Sequence, residues 1–416
     1  MPKYLFRNAA LTGLLLCSLA AQATAFAQEP LLSLHAAIER AQAQAPTVAG
    51  ALAGVRAADA GIQVAQARPN PSFGIEAENV LGSGRYAGFG GGDKTYSISL
   101  PIELGGKRAA RTRVAEAERD AATLGVTASR TDLTLKVTQA FIALAANQRR
   151  LELGKASLEL AERSAKVARE RVKAGKASPI DEQRAEVLRI NAQVRAARAE
   201  RAVETASSTL GRLLGSSTPV MISAPWFDDI KAGPGAVPEG RSLALAAADA
   251  DIAAARARVA AARSARVPDV TVSMGARRIG DSHDKAAVLS LSVPLPIFNS
   301  GAGELARAHA EFDRAQAQRA AVSLDTEQAL VDAQSDVANA QAAAEAAGPA
   351  LAAAGEAARI ARIGYAAGKF SQLDLIEAER ALTESREASI DALAALHDAR
   401  ARLARLNGSM ASLYKD

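Results

Sequence analysis

Residues 365–380 read YAAGKFSQLDLIEAER. The Gly-Lys pair interrupts a long helical pattern, and the serine ahead of an acidic, leucine-containing run restarts one. The same punctuation occurs 193 residues earlier, where Gly175, Lys176, Ser178, Asp181, Ala185 and Glu186 match Gly368, Lys369, Ser371, Asp374, Ala378 and Glu379. Twice, a very long helix reverses at Gly-Lys-x-Ser and re-enters a helix that carries an acid. The two hairpin tips mark an internal duplication.

The helices leading into the tips carry the same register. Val137, Leu144, Leu151, Leu158, Ala165 and Val172 recur every seven residues, and the offset of 193 turns them into Leu330, Val337, Ala344, Leu351, Ala358 and Tyr365. A second row, Ala146, Leu153, Leu160, Val167 and Ala174, lies on the nearly opposite side. A coiled-coil pair needs one seam. Two seams need a neighbour on each side, which either a helical bundle or a closed ring of helices supplies.

Upstream of each long helix the period changes from helical to two. Phe73, Ile75 and Ala77 alternate with polar residues in 72–80, and Tyr96, Ile98, Leu100 and Ile102 do so in 95–102. In the second half, Val270, Val272, Met274 and Ala276 form one face of a strand over 270–276, and Ala287, Leu289, Leu291, Val293 and Leu295 one face of a strand over 287–295. Segment 82–94, GSGRYAGFGGGDK, reads as a loop between the first two strands. Helices are expected over 32–67, broken at Pro46, and over about 104–173, 180–214 and 241–264, with a long helix following Pro296-Ile297-Phe298 up to Ala366 and a last one from beyond the Gly368 tip to about Asn407.

A helix of ~65 residues extends roughly 100 Å, far beyond the ~30 Å core of a bilayer, so the helices belong in water. Strands of about ten alternating residues suit a membrane barrel, but four cannot close one, and lipid tolerates no open sheet edge. Either the sheet is small and soluble, or several chains share a barrel. Phe73, Tyr86, Phe89 and Tyr96 would serve as interfacial anchors in the second case.

Residues 1–27 read as an export signal: Lys3 and Arg7, then apolar Ala9–Ala21, then Ala25-Phe26-Ala27 before Gln28. Cys17, the only cysteine, lies within it behind Leu16, and no lipidation is expected. The remaining chain has 48 basic against 45 acidic residues, so the net charge falls from +5 to +3. That balance, spread along helices, gives nucleic-acid binding no support. His35, His283, His309 and His397 are far apart with no ligand spacing, and the glycine-rich 88–94 follows no βαβ unit. No catalytic site, metal site or cofactor is expected. A trimeric coiled-coil adhesin would explain the helices and the signal but not four strands placed symmetrically in two halves.

These features together resemble the TolC-like outer-membrane efflux proteins. The resemblance rests on LLSLHAAIERAQAQAPTV (31–48), ARPNPSF (67–73), SLPIELGGKRAAR (99–111), ARVPDVTVSMG (265–275), SVPLPIFNSGAG (292–303) and both tips. The GGKR and SVPLPIFN junctions are most similar to the heavy-metal, CzcC-like branch. The resemblance implies a duplicated, mainly α fold. Three chains would share a 12-stranded outer-membrane β-barrel continued by a long periplasmic α-helical barrel. Residues 28–214 and 241–416 would be the two repeats, and 215–240 a linker in an equatorial belt. The implied role is the exit duct of a tripartite RND-type system carrying divalent heavy-metal cations, with drug efflux or type I secretion as alternatives. Implied partners are two further copies of the chain, a periplasmic adaptor, an inner-membrane RND pump and outer-membrane lipid. The tips, Gly175, Gly368, Lys176 and Lys369, would dock the adaptor and pump. Asp374, Glu377, Asp181 and Tyr365 would form the periplasmic gate. Phe370 stands where the family pattern has an arginine. The local alternative for the acids is helix capping, with Asp374 as N-cap and Glu377 at N3.

Overall fold

The computed structural model describes residues 31–89, 92–231, 242–280, 282 and 284–408. The expected export signal, its Cys17, His283 and part of the 215–240 linker lie outside the described residues.

Helix α1 (Leu34–Gln44) starts at Ser33, whose Oγ accepts the Ala36 N–H at 3.3 Å. Pro46 opens α2 (Pro46–Gln66) at its first turn, where a missing N–H costs nothing, so the 32–67 stretch is two helices. The two long helices are α3 (Lys107–Lys173, 67 residues) and α6 (Ala302–Ala366, 65 residues). Each begins behind a left-handed glycine, Gly106 (φ 73°) or Gly301 (φ 71°). Their partners across the tips, α4 (Pro179–Leu213) and α7 (Gln372–Leu406), are both 35 residues long. Helix α5 (Leu243–Ala265) precedes the second strand pair. Helix α6 runs on through Pro349, which cannot donate a hydrogen bond to the turn before it.

The helices form an open row. Helix α3 packs against α2, α5, α4 and α7, with α7 reaching it from Asp132 to Arg150, while α6 packs against α5 and α7. This is the two-sided environment the seams of α3 required, and within one chain the row does not close. Val137, Leu144 and Ala165 of the first seam are buried. The second seam is buried at Ala146 but exposed at Val167, beside a cleft described below.

The main core sits at mid-length of α3. Phe141, Val137 and Leu144 pack there with Leu34, Leu210, Leu396 and a short 3₁₀ turn, Pro225–Asp228. Trp226 stacks on Phe141 with ring centres 6.1 Å apart, and His397 meets Trp226 edge-on at 4.9 Å. His397 is fully buried, and its Nε2 lies 3.0 Å from the Phe227 carbonyl. Burial pushes its pKa down, so the ring is neutral and serves as a core group.

The four strands, β1 (Ser72–Glu78), β2 (Asp93–Ile102), β3 (Val270–Arg278) and β4 (Lys285–Ser292), form one antiparallel sheet in chain order. Several expected boundaries are corrected: β1 ends at Glu78, not at 80; β3 runs on to Arg278; β4 starts at Lys285, not at 287; and α6 starts only at Ala302, behind Gly301. Asp93 and Lys94 belong to β2, pairing with Glu78 and Ala77, and not to the preceding loop. Strand β4 stops at Ser292, short of Leu295, because Pro294 and Pro296 cannot supply ladder N–H groups.

Register puts the large apolar strand residues, Val288 excepted, on one face. Phe73 lies beside Ile98, Ile98 beside Met274, and Met274 beside Leu289. All four are exposed, Leu289 at 80%. The other face carries Ser97, Ser99, Ser273 and Ser290, with Ser273 Oγ 2.8 Å from Ser99 Oγ and Arg277 paired to Glu78 at 2.9 Å. A contiguous apolar face of this size is not left to water. The outer edges of β1 and β4 have no partner strand among the described residues. Among the described residues, no helix is long and apolar enough to cross a membrane.

Where sheet meets helices, the two halves are tied. Asp269 accepts the Leu104 N–H at 3.1 Å and pairs with Lys107 at 2.8 Å. Gly105 turns there at φ 68°, and a side chain on it would strike Val267 at 2.7 Å.

Candidate functional site: the hairpin tips

Both tips are built alike. After α3, Gly175 takes φ 70°, its N–H reaching Val172 O at 2.9 Å and the Lys176 N–H reaching Arg171 O at 2.9 Å. After α6, Gly368 takes φ 71°, with Lys369 N–H on Gly364 O at 2.8 Å. These paired bonds satisfy the last carbonyls of the long helix, and the left-handed residue must be glycine to avoid strain.

The returning helices open with matching capping boxes. Ser371 Oγ accepts the Asp374 N–H at 3.2 Å, and Asp374 Oδ2 accepts the Ser371 N–H at 2.9 Å and its hydroxyl at 2.7 Å. Asp181 likewise accepts the Ser178 N–H at 3.2 Å. The expectation of Asp374 as N-cap and Glu377 at N3 is therefore corrected: Ser371 is the N-cap and Asp374 is N3. The Ser371 hydroxyl and N–H hold the Asp374 carboxyl below its ordinary pKa. Glu377 follows on the next turn, exposed, and makes no ion pair among the described residues. Lys176 and Lys369 are exposed at the extreme ends.

The two tips of the chain touch. The Arg171 guanidinium lies over the Tyr365 ring, 5.0 Å from its centre, and Gln372 Nε2 donates to the Asp181 carbonyl at 3.2 Å. Tyr365 thus faces an arginine, not the acids with which the sequence reading grouped it. Each hairpin is also braced internally. Arg362 forks onto Glu379, with Nη2 to Oε2 at 2.9 Å, and Arg169 reaches Glu182 at 3.3 Å and Glu186 at 3.9 Å. Above the tips, α3, α4, α6 and α7 line a cleft of about 990 Å³ whose walls include Leu160, Val167, Leu188, Arg362, Ile376 and Arg380. No group of His, Cys, Asp and Glu that could hold a metal ion occurs among the described residues.

Arg171, Arg169, Arg362 and Gln372 were not singled out from sequence. One signal was available: the offset of 193 superposes Arg169 on Arg362 as it superposes Glu186 on Glu379. Arg171 had no such signal, because its counterpart is Gly364.

Gly364 has its own constraint. The Phe370 ring folds back onto it, so a Cβ there would fall 2.1 Å from the ring. Gly364→Ala is expected to expel the ring and to speed hydrogen exchange of the Lys369 and Phe370 amides, which bond to Gly364 O, by about tenfold. Phe370→Ala combined with it should restore protection of the Lys369 amide. Unchanged exchange in the single variant would show that the ring contact does not hold the turn.

The chain was compared with known proteins. A family model described as outer membrane efflux protein matches residues 37–216 and 239–409. The chain is 31% identical over 385 residues to the cobalt-zinc-cadmium resistance protein CzcC of Cupriavidus metallidurans, across 91% of this chain and 90% of that one. It is 32% identical over 340 residues to the nickel-cobalt-cadmium resistance protein NccC of Alcaligenes xylosoxydans xylosoxydans, across 79% and 75%. The crystal structure of the outer membrane protein VceC from Vibrio cholerae superposes with a TM-score of 0.74 at 20% identity, over 90% of this chain and 96% of that one. At that identity the likeness is one of fold.

Proposed function

Because the chain belongs to the outer membrane efflux protein family, we propose that it is the exit duct of a tripartite efflux system and passively conducts divalent heavy-metal cations out of the cell. The observation that carries the reading is the sheet: one continuous apolar face, two open edges, and helices of about 100 Å attached at one end. Three copies, β4 of each beside β1 of the next, give twelve strands, no free edge, an apolar outside and a serine-lined inside. The open row of helices closes in the same operation into a tunnel through the periplasm. Exposed Val187, Ile190 and Val194 on α4 and Leu324, Val331 and Ile360 on α6 then meet a neighbouring chain.

Residues 1–27 direct export, 28–214 and 241–416 are the two repeats, and 215–240 contributes to a belt at the level of the Phe141 core. Gly175, Lys176, Gly368 and Lys369 lie at the periplasmic mouth and dock the adaptor and an RND pump, which supplies energy and selection. Asp374, Glu377 and Asp181 line that mouth. Tyr365, under Arg171, holds the two hairpins of one chain together there. The cargo follows the metal-resistance relatives, at 31% and 32% identity.

Deleting the protein is expected to lower tolerance of cobalt, zinc and cadmium salts while leaving sensitivity to dyes and antibiotics unchanged. Sensitivity to organic compounds alone would reassign the cargo. A water-soluble monomer without channel activity, in place of a detergent-extracted trimer, would overturn the duct itself.

A further inference from the structure

The outward face of the sheet is apolar row by row until its last row. From the helix end upward, the rows are Ile102 with Val270; Leu100, Val272 and Leu291; Phe73, Ile98, Met274 and Leu289; then Ile75, Tyr96, Ala276 and Ala287. The next row on the same face is Ala77, Lys94, Arg278 and Lys285. Three cations stand side by side on three adjacent strands, just past an apolar band that ends at a tyrosine.

Neighbouring strands are ~4.8 Å apart, and like charges directly opposite one another destabilise a sheet. Elsewhere the chain neutralises such groups. At the helix end of the sheet, Lys107 pairs with Asp269 at 2.8 Å and Arg111 pairs with Glu103. On the inward face, Arg277 pairs with Glu78 at 2.9 Å. None of Lys94, Arg278 and Lys285 makes an ion pair or side-chain hydrogen bond among the described residues. Arg278 and Lys285 are exposed and Lys94 is half-buried. Glu78 and Asp93 alternate onto the other face, and Asp284, which precedes Lys285, closes the hairpin through its carbonyl, 2.9 Å from the Ile279 N.

We propose that this row is a binding site for the phosphate groups of the outer-leaflet glycolipid, the phosphorylated lipid A portion of lipopolysaccharide. The inference rests on the barrel reading above, and its polarity comes from the helices. They fill the aqueous space on one side, so the loop end, which bears the cations, meets the outer leaflet. A headgroup phosphate at the top of the apolar band sits level with the row, its acyl chains lie along Leu289, Met274 and Ile98, and Tyr96 occupies the boundary. Three chains supply three such rows around the barrel.

The test uses the full-length assembly purified in mild detergent and returned to vesicles of phosphatidylethanolamine, with added lipopolysaccharide, added phosphatidylglycerol, or neither. Wild-type protein is expected to retain lipopolysaccharide through repurification and to melt at a higher temperature in its presence than with phosphatidylglycerol. The triple variant Lys94→Gln, Arg278→Gln, Lys285→Gln should retain at least about tenfold less lipopolysaccharide. Lys94→Arg with Lys285→Arg should bind as wild type does, and single-channel conductance should be unchanged in both variants. Equal retention by wild type and triple variant would overturn the inference, and so would equal stabilisation by phosphatidylglycerol. Those results would leave the duct standing, whereas a wild-type chain that never enters the bilayer would remove both readings.

Discussion

Channels carrying Asp374→Asn together with Glu377→Gln are expected to lose their preference for cations while keeping their trimeric assembly. Under the function proposed above, three copies would bring six carboxylates from these two positions to a narrow mouth. Their mutual repulsion is relieved by cations, so the ring concentrates cargo of the right sign. The structure makes the experiment clean. Asp374 uses Oδ2 for the capping box, and an asparagine carbonyl can still accept the Ser371 N–H. Among the described residues, Glu377 makes no ion pair whose loss would disturb the tip. The readout is the reversal potential of single channels in a salt gradient. Wild type should shift strongly toward the cation potential at about 0.1 M salt and much less at about 1 M, where screening shortens to ~3 Å. Identical reversal potentials in wild type and double variant would remove the acids from the conduction path and leave Asp374 as a helix cap only.

Phe141→Ala should cause the largest loss of stability of any single truncation discussed here, about 3–5 kcal/mol. Phe141 is fully buried at the one level where α1, α3, α4, α7 and the Pro225–Asp228 turn converge. Its removal opens a cavity bounded by Leu34, Leu144 and Leu396 and deletes the stacking on Trp226, worth a further ~0.5–1.5 kcal/mol. Trp226 is the only tryptophan, so its fluorescence reports this site without labelling. The expected observation is a red-shifted emission and a clearly lower urea midpoint. A variant with the wild-type midpoint would mean that the belt core does not limit stability.

Much of the architecture was legible because it repeats. Heptads ran far enough to fix α3 and α6, and glycine before an S-x-x-D box fixed both tips. Parity assigned every strand residue to a face, including the face now seen to be apolar up to its last row, Lys94, Arg278 and Lys285. What failed was local competition. Glycines next to Asp93 and Lys94 masked the start of β2, and two prolines cut β4 short although its alternation continued. The S-x-x-D spacing at Ser178 and Ser371 is that of a capping box, and the expectation of Asp374 as N-cap fails because the serine hydroxyl three residues earlier takes that place. The contacts between tips were beyond reach: Arg171 and Tyr365 are 194 residues apart and lie on different hairpins. Phe141, Trp226, Phe227 and His397 share no period, so only folding reveals that they form one cluster.

The sheet with its two bare edges also bears on how such a chain must be supplied. In the assembly proposed above, each copy leaves the ribosome alone, yet its apolar face and edge strands would be satisfied only beside its neighbours. Until they meet, every copy is a template for wrong pairing, so slow delivery and attentive chaperones matter as much as intrinsic stability. Faults are shared in the same way. In a cell making sound and defective copies in equal amounts, random mixing leaves about one ring in eight wholly sound, so a lesion at an edge strand or tip behaves as a dominant one.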